Sequence, residues 1–336
     1  MTGAAALAPG RRAGGRARPV EPAAPASAGT VEATSAGLLA LFMVALLLPI
    51  SFGIGSLALS PARAFLLVAF VPLAIRWLSG AAGRVTGGDV FFALHCLWLG
   101  AALLAIHGQE RIPFAGITVV EVFGSYLAGR ILVRNLADYR LVFRCMLIAF
   151  AVLLPFVVVE MLTGRLPLSS LLPVETYPKV QNDPASMRMG FYRAQAVFEH
   201  PILWGVFCSL AIANVFYLNH RTSFFKGVAL AGFATGMTFT SLSSGPLLAA
   251  TLQIGIVGWG WITRNAWWVL VGLAVMGYVV VDLLSNRSPV QVMISYLTFN
   301  SASAYWRLHI WNFGIQEVWR HPLFGIGLGD WVRPSW

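Results

Sequence analysis

Charged side chains are scarce in this chain. They make up 11% of its 336 residues, against roughly a quarter in ordinary soluble domains. With 58% hydrophobic residues and a mean hydropathy of +0.74, that shortage excludes a water-soluble globular domain. Acidic residues are scarcer still: 13, against 23 Lys and Arg, for a net charge of +10. In a soluble chain such an excess would point to nucleic acid. Here much of it lies between apolar runs and reads as an orientation signal, so no nucleic-acid partner is expected. Cysteine is limited to Cys96, Cys145 and Cys208, each inside an apolar run and none at metal-ligand spacing. A disulfide framework is not implied, and neither a metal nor another cofactor is expected. No repeat of 20–50 residues is found.

What the chain has in abundance is long hydrophobic runs. The fold class expected is all-α, a polytopic integral membrane helix bundle. Runs able to cross about 30 Å of hydrocarbon fall near 36–55, 61–79, 88–106, 114–133, 141–162, 200–218, 227–243, 246–262 and 266–284, about nine spans. The 33 glycines and 18 prolines are tolerated in such helices, and the 12 tryptophans suit membrane–water interfaces. Residues 1–35 hold Ala, Pro, Gly and Arg with almost no large apolar side chains and are expected to be a disordered tail. This basic stretch before Leu38–Leu48 has the outline of a signal peptide. The spans that follow at once favour a retained first membrane helix.

Loop charges orient the bundle. An N-terminus in the cytoplasm places Arg11, Arg12, Arg16, Arg18, Arg76, Arg84, Arg130, Arg134, Arg140, Arg144, Arg221, Lys226 and Arg264 inside. The two short outer loops then hold only Arg63 and Arg111, as the positive-inside rule requires. Two longer outer segments remain, about 163–199 and 285–336. They carry Arg165, Lys179, Arg188, Arg193, Arg287, Arg307, Arg320 and Arg333 with fewer acids. Ordinary solvation explains such a surface; so does a site for an anionic ligand, where guanidinium forks suit phosphate. Among membrane-embedded polar residues, Glu121 is either functional or a paired or protonated acid facing the bundle. His95 and Gln253 are expected to bond between helices.

Four motifs stand out. Arg193…Phe198-x-His200-Pro201 ends a polar loop and opens a helix, with Pro201 in the first turn. Ser241-Leu242-Ser243-Ser244-Gly245-Pro246 marks a tight turn or broken helix. Trp306-Arg307-x-x-Ile310-Trp311 lies in an amphipathic stretch where Leu308, Trp311, Ile315, Val318 and Trp319 recur at helical spacing. His309 would stand about 200° round that helix from Arg307. Finally, His321-Pro322 stops the helix, and Gly325, Gly327 and Gly329 form a flexible turn.

Across residues 190–331 these motifs resemble the O-antigen ligase and polymerase family of bacterial cell-envelope membrane proteins. The resemblance implies a metal-independent, multi-pass glycosyltransferase of the bacterial inner membrane. It would take a glycan from a polyprenyl-diphosphate carrier at the outer face and pass it to a glycan or lipid acceptor. Besides these and the membrane lipids, no partner is implied. It further implies arginines that grip the diphosphate, onto which Arg193 and Arg307 match, and a histidine base beyond the glycine-rich turn. The sequence stops at Trp336 without that histidine or further spans, so a shortened form that binds the carrier weakly and transfers glycan slowly or not at all is expected, unless His309 or His321 has taken over the role. Two other functions are weighed. A transporter or flippase of an anionic lipid or solute would show broken helices in two related halves, and only 241–246 reads as broken. A non-catalytic membrane scaffold would leave the outer arginines without a purpose.

Overall fold

The computed structural model describes residues 27–54, 57–81, 83–171, 187–263, 266–286, 288–292 and 301–330. Helix α1 spans Ser27–Leu47 and ends where Leu48-Pro49 disfavours helical backbone. A hairpin follows, β1 (Phe52–Ile54) paired antiparallel with β2 (Leu57–Leu59), Phe52 opposite Leu59. Then come α2 (Pro61–Leu78), α3 (Gly87–His107), α4 (Ile112–Leu132) and α5 (Leu136–Thr163). The short α6 (Pro167–Leu171) precedes α7 (Pro201–Ser209), α8 (Ala211–Asn219), α9 (Phe224–Thr240), α10 (Ser244–Ile262) and α11 (Trp267–Leu284). The last described helix, α12, runs over Ser301–Arg320.

Local chemistry sets these boundaries. Capping boxes start α3 and α5: Thr86 and Asp89 exchange bonds of 2.7 and 3.3 Å, and Asn135 and Asp138 bonds of 2.8 and 3.3 Å. Ser60 caps α2 ahead of Pro61, and His200 caps α7 ahead of Pro201.

Among the described residues, seven helical stretches are long and apolar enough to cross a membrane, α7 and α8 together forming one. That is the architecture of a multi-pass membrane protein. The other two expected spans are shorter. The apolar part of α1 is Ser35–Leu47, and α9 has 17 residues. Two boundaries also need correction. Helix α1 begins inside the stretch expected as tail, and Pro49 with the hairpin replaces the end of the expected 36–55 span. The tail up to residue 26 lies outside the described residues.

Val68, Phe91, Leu97, Ile148, Val152, Trp268 and Leu283 all point outward, and α11 has no buried residue. Soluble surfaces do not expose apolar area on that scale. Inside, one core joins α2, α3 and α4 around Leu66, Leu127 and Ile131. A second joins α5, α7, α8 and α9 around Phe150, Trp204 and Met237. Helix α1 packs on both α2 and α5. Small residues allow the close approach: a methyl group on Gly124 would meet Phe70 at 3.3 Å, and one on Gly100 would meet Val119 at 3.0 Å.

The join between α7 and α8 breaks at Leu210. There Gln253 of α10 donates to the Ser209 carbonyl (3.1 Å) and accepts from the Ala213 amide (3.4 Å). Its side chain replaces the missing turn's own bond, the interhelical role expected of it. His95 instead stands exposed on α3, its ring 6.3 Å from that of Phe92, and makes no hydrogen bond to another helix among the described residues. Glu121 is paired with Arg63 of α2, whose guanidinium also reaches the Ala58 carbonyl at 2.5 Å.

Short connections make most successive spans antiparallel, and the longer one after α5 does so too, returning to the end of that helix through the Tyr192–Met161 backbone bond. We call the end where α5 starts the near end and the end where it finishes the far end.

Candidate functional site

The far end is organised by a buried acid. Glu160, in the last turn of α5, accepts from the backbone amides of Gln195 (2.9 Å) and Ala196 (3.1 Å). The Tyr192 amide donates to the Met161 carbonyl (2.9 Å), and the Ala194 amide to the Thr240 carbonyl at the end of α9 (3.0 Å). Trp204, fully buried on α7, donates from its indole to Thr240 Oγ1 (2.9 Å). These bonds seat the strand-like segment 192–196 across the ends of α5 and α9. Arg193 is the charged side chain it presents.

Arg193 donates to the Ser243 hydroxyl at 2.7 Å. Its Nε is buried and has no hydrogen-bond partner among the described residues. Ser243 is the N-cap residue of α10, yet its hydroxyl serves Arg193 and the Ser241 carbonyl (3.0 Å), not its own helix. Arg188 reaches the same turn, donating to the Leu242 carbonyl at 2.7 Å. It is placed by a two-residue hairpin: Arg188 and Phe191 exchange backbone bonds of 2.9 and 3.0 Å around Met189 and Gly190, both with positive φ. Burial, then Arg188 and Arg307, pull the Arg193 guanidinium down to about 10. Burial, then Arg307, lowers Arg188 as well. Arg188 and Arg193 meet at the Leu242–Ser243 turn, and Arg307 lies near enough to act on both. We call these three the arginine cluster; no described carboxylate forms an ion pair with any of them.

The surrounding backbone is unusual. Met189, Ala196 and Leu242 are the described non-glycine residues with positive φ, and all three border this cluster. Each such residue costs on the order of 1 kcal/mol, and such strain collects at functional sites. Helix α7 presses close: a methyl group on Gly205 would lie 2.4 Å from Ser241 Oγ. His200 accepts from the Ile202 amide through Nδ1 at 3.0 Å, and burial, then Arg193, lowers its pKa.

Helix α12 carries Arg307 and an exposed stripe that includes Trp311, Ile315, Val318 and Trp319. The glycine-rich turn after it is docked on α3. Leu328 N–H donates to His107 Nε2 (2.7 Å), Trp98 donates to the Leu323 carbonyl (3.0 Å), and the Trp98 and Phe324 rings stack at 5.2 Å.

The structure thus brings Arg193 and Arg307 together and adds Arg188, which the sequence offered only as one of eight outer cations. Gly190 was the local sign of its hairpin. Glu160 was not singled out, and Ser243 stood only as part of a turn; their contacts lie 35 and 50 residues away in the chain. The two histidines are set apart from Arg307 by the helix itself: His309 stands about 200° round it, and His321 lies about 21 Å further along the helix axis, 3.9 Å from Glu317. Among the described residues no group of three His, Cys, Asp or Glu could hold a metal ion. Comparison with known proteins returns no match to a family model, a curated protein or a solved structure.

Proposed function

We propose that this chain handles a polyprenyl-diphosphate-linked glycan at the outer face of the bacterial inner membrane, in the manner of the O-antigen ligases and polymerases it resembles. The observation that carries the reading is the cluster of Arg188, Arg193 and Arg307, gathered against its own repulsion and with no ion pair to a described carboxylate. Such a cluster is costly without an anion and favourable with one. A diphosphate carries enough charge and enough oxygen acceptors to engage three guanidiniums. In glycan transfer the same groups would neutralise the departing diphosphate. An acceptor hydroxyl must also lose a proton, and the helix sets both His309 and His321 apart from Arg307. Orientation follows from the loop charges: the near end is cytoplasmic and the arginine end faces outward.

The test is binding of polyprenyl diphosphate to the purified chain in nanodiscs, followed by glycan transfer from the loaded carrier to an acceptor. Arg193→Lys and Arg307→Lys keep the charge but lose the planar fork. Each should weaken binding about tenfold, the worth of roughly one charge-assisted bond. Wild-type affinity in both variants would place the grip elsewhere. Movement of the carrier across the bilayer without transfer would favour a flippase.

A further inference from the structure

A second basic site lies at the near end, where no motif was found. A cavity of about 460 Å³ opens there between α5, α8 and α9. Arg140, Arg144 and Lys226 line it together with Asn219 and Thr222, above an apolar wall that includes Phe143 and Leu230. It is separate from the arginine cluster: Arg140 and Glu160 are 20 residues apart on α5, about 30 Å along the helix and so a full membrane thickness.

Two other cations at this end are taken up by the protein. Arg130 pairs with Asp89 at 3.2 Å, and Arg134 donates to the Ala81 carbonyl. Arg140, Arg144 and Lys226 differ. Among the described residues their side chains donate to no protein acceptor and pair with no carboxylate, and no acid lines the cavity. Arg140 and Arg144 are one turn apart on α5, where like charges repel. Tyr139, beside them, is bonded to Asn214 at 2.5 Å, which ties α5 to α8 at the mouth.

We propose that this cavity binds an anionic phospholipid of the near-end leaflet, the cytoplasmic one by the loop charges. The phosphate sits among Arg140, Arg144 and Lys226, Asn219 and Thr222 offer polar contacts to the headgroup, and the acyl chains lie along the apolar wall. Basic pockets between membrane helices on the cytoplasmic side recognise such headgroups. The mixed lining separates this ligand from a soluble phosphate, which would gain nothing from Phe143 and Leu230.

Native mass spectrometry of the full chain in detergent tests the assignment with dioleoyl phosphatidylglycerol, dioleoyl phosphatidylcholine and glycerol phosphate as probes. Phosphatidylglycerol should bind in preference to phosphatidylcholine, and glycerol phosphate should not compete at equal concentration. The combined variant Arg140→Gln, Arg144→Gln, Lys226→Gln should weaken phosphatidylglycerol binding about 100-fold, the sum of three basic side chains at a membrane surface. The variant Arg165→Gln, at the other end and outside the arginine cluster, should leave it unchanged. An unchanged thermal midpoint of the triple variant shows that a loss is not unfolding. Equal binding of the two lipids, or a preference that survives the triple substitution, overturns the proposal. So does glycerol phosphate binding as tightly as the lipid.

Discussion

Replacing Gly327 by alanine should release the glycine-rich turn from α3. Docking rests on two hydrogen bonds to the α3 side chains His107 and Trp98, about 1 kcal/mol each, and on the Trp98–Phe324 stack, about 1 kcal/mol more. Gly327 has φ +61, and a Cβ there would lie 2.3 Å from His107 Nε2 and 2.8 Å from its Cδ2. The imidazole must swing aside, which forfeits the bond from Leu328, about 1 kcal/mol. Alanine in left-handed backbone adds about 1–2 kcal/mol. The total, about 2–3 kcal/mol, lowers the docked-to-undocked ratio about 30- to 150-fold. Hydrogen–deuterium exchange at the Leu328 amide reads this directly. Gly325 supplies the control: φ is +68, yet a Cβ would meet open space. Gly325→Ala should therefore show only the backbone part, about 5- to 30-fold. If Leu328 exchanges no faster in Gly327→Ala than in Gly325→Ala, His107 does not hold the turn. Because Arg307 stands on the helix leading into that turn, Gly327→Ala should also weaken diphosphate binding.

Two further outcomes are expected. His200 is held below its unfolded value, about 6.5, first by burial and then by Arg193. The unfolded chain therefore takes up the proton first. Stability is full above about pH 6.5 and falls as pH drops from there to the lower folded value. Thermal midpoints between pH 7 and 5 should show this slope, and His200→Asn, which keeps an N-cap acceptor, should flatten it; parallel curves would exonerate His200. For topology, a single cysteine at Met187 should react with a membrane-impermeant maleimide in intact cells, and one at Thr222 should not. The reverse pattern would invert the proposed orientation.

How far the site was legible follows from where each contact lies along the chain. Pro201 after His200 announced a helix start, and the structure has one there. The Ser-Leu-Ser-Ser-Gly-Pro segment announced a break between two helices, and α9 and α10 meet at it. Arg193 was visible as a cation at a helix entrance. Its association with Arg307 was expected from the resemblance; that Ser243 and Arg188 also surround it was not, because these come from segments with no shared periodicity. The hairpin at Phe52–Leu59 escaped notice because apolar residues running up to Pro49 and past it read as one span until backbone geometry intervenes.

The sequence by itself determined the solvent and the material. Apolar runs of about 20 residues must be helices where water cannot satisfy the backbone, and capping residues and prolines mark their ends. Tertiary structure alone decided which polar residues are used and which are left over. Arg63 and Arg130 are consumed by Glu121 and Asp89, whereas Arg193, Arg307, Arg140 and Arg144 form no ion pair with any described carboxylate. Nothing in the local spelling of these arginines distinguishes the two groups. A charge is satisfied or unsatisfied only by what packing brings within about 4 Å of it, and those partners lie dozens of residues away.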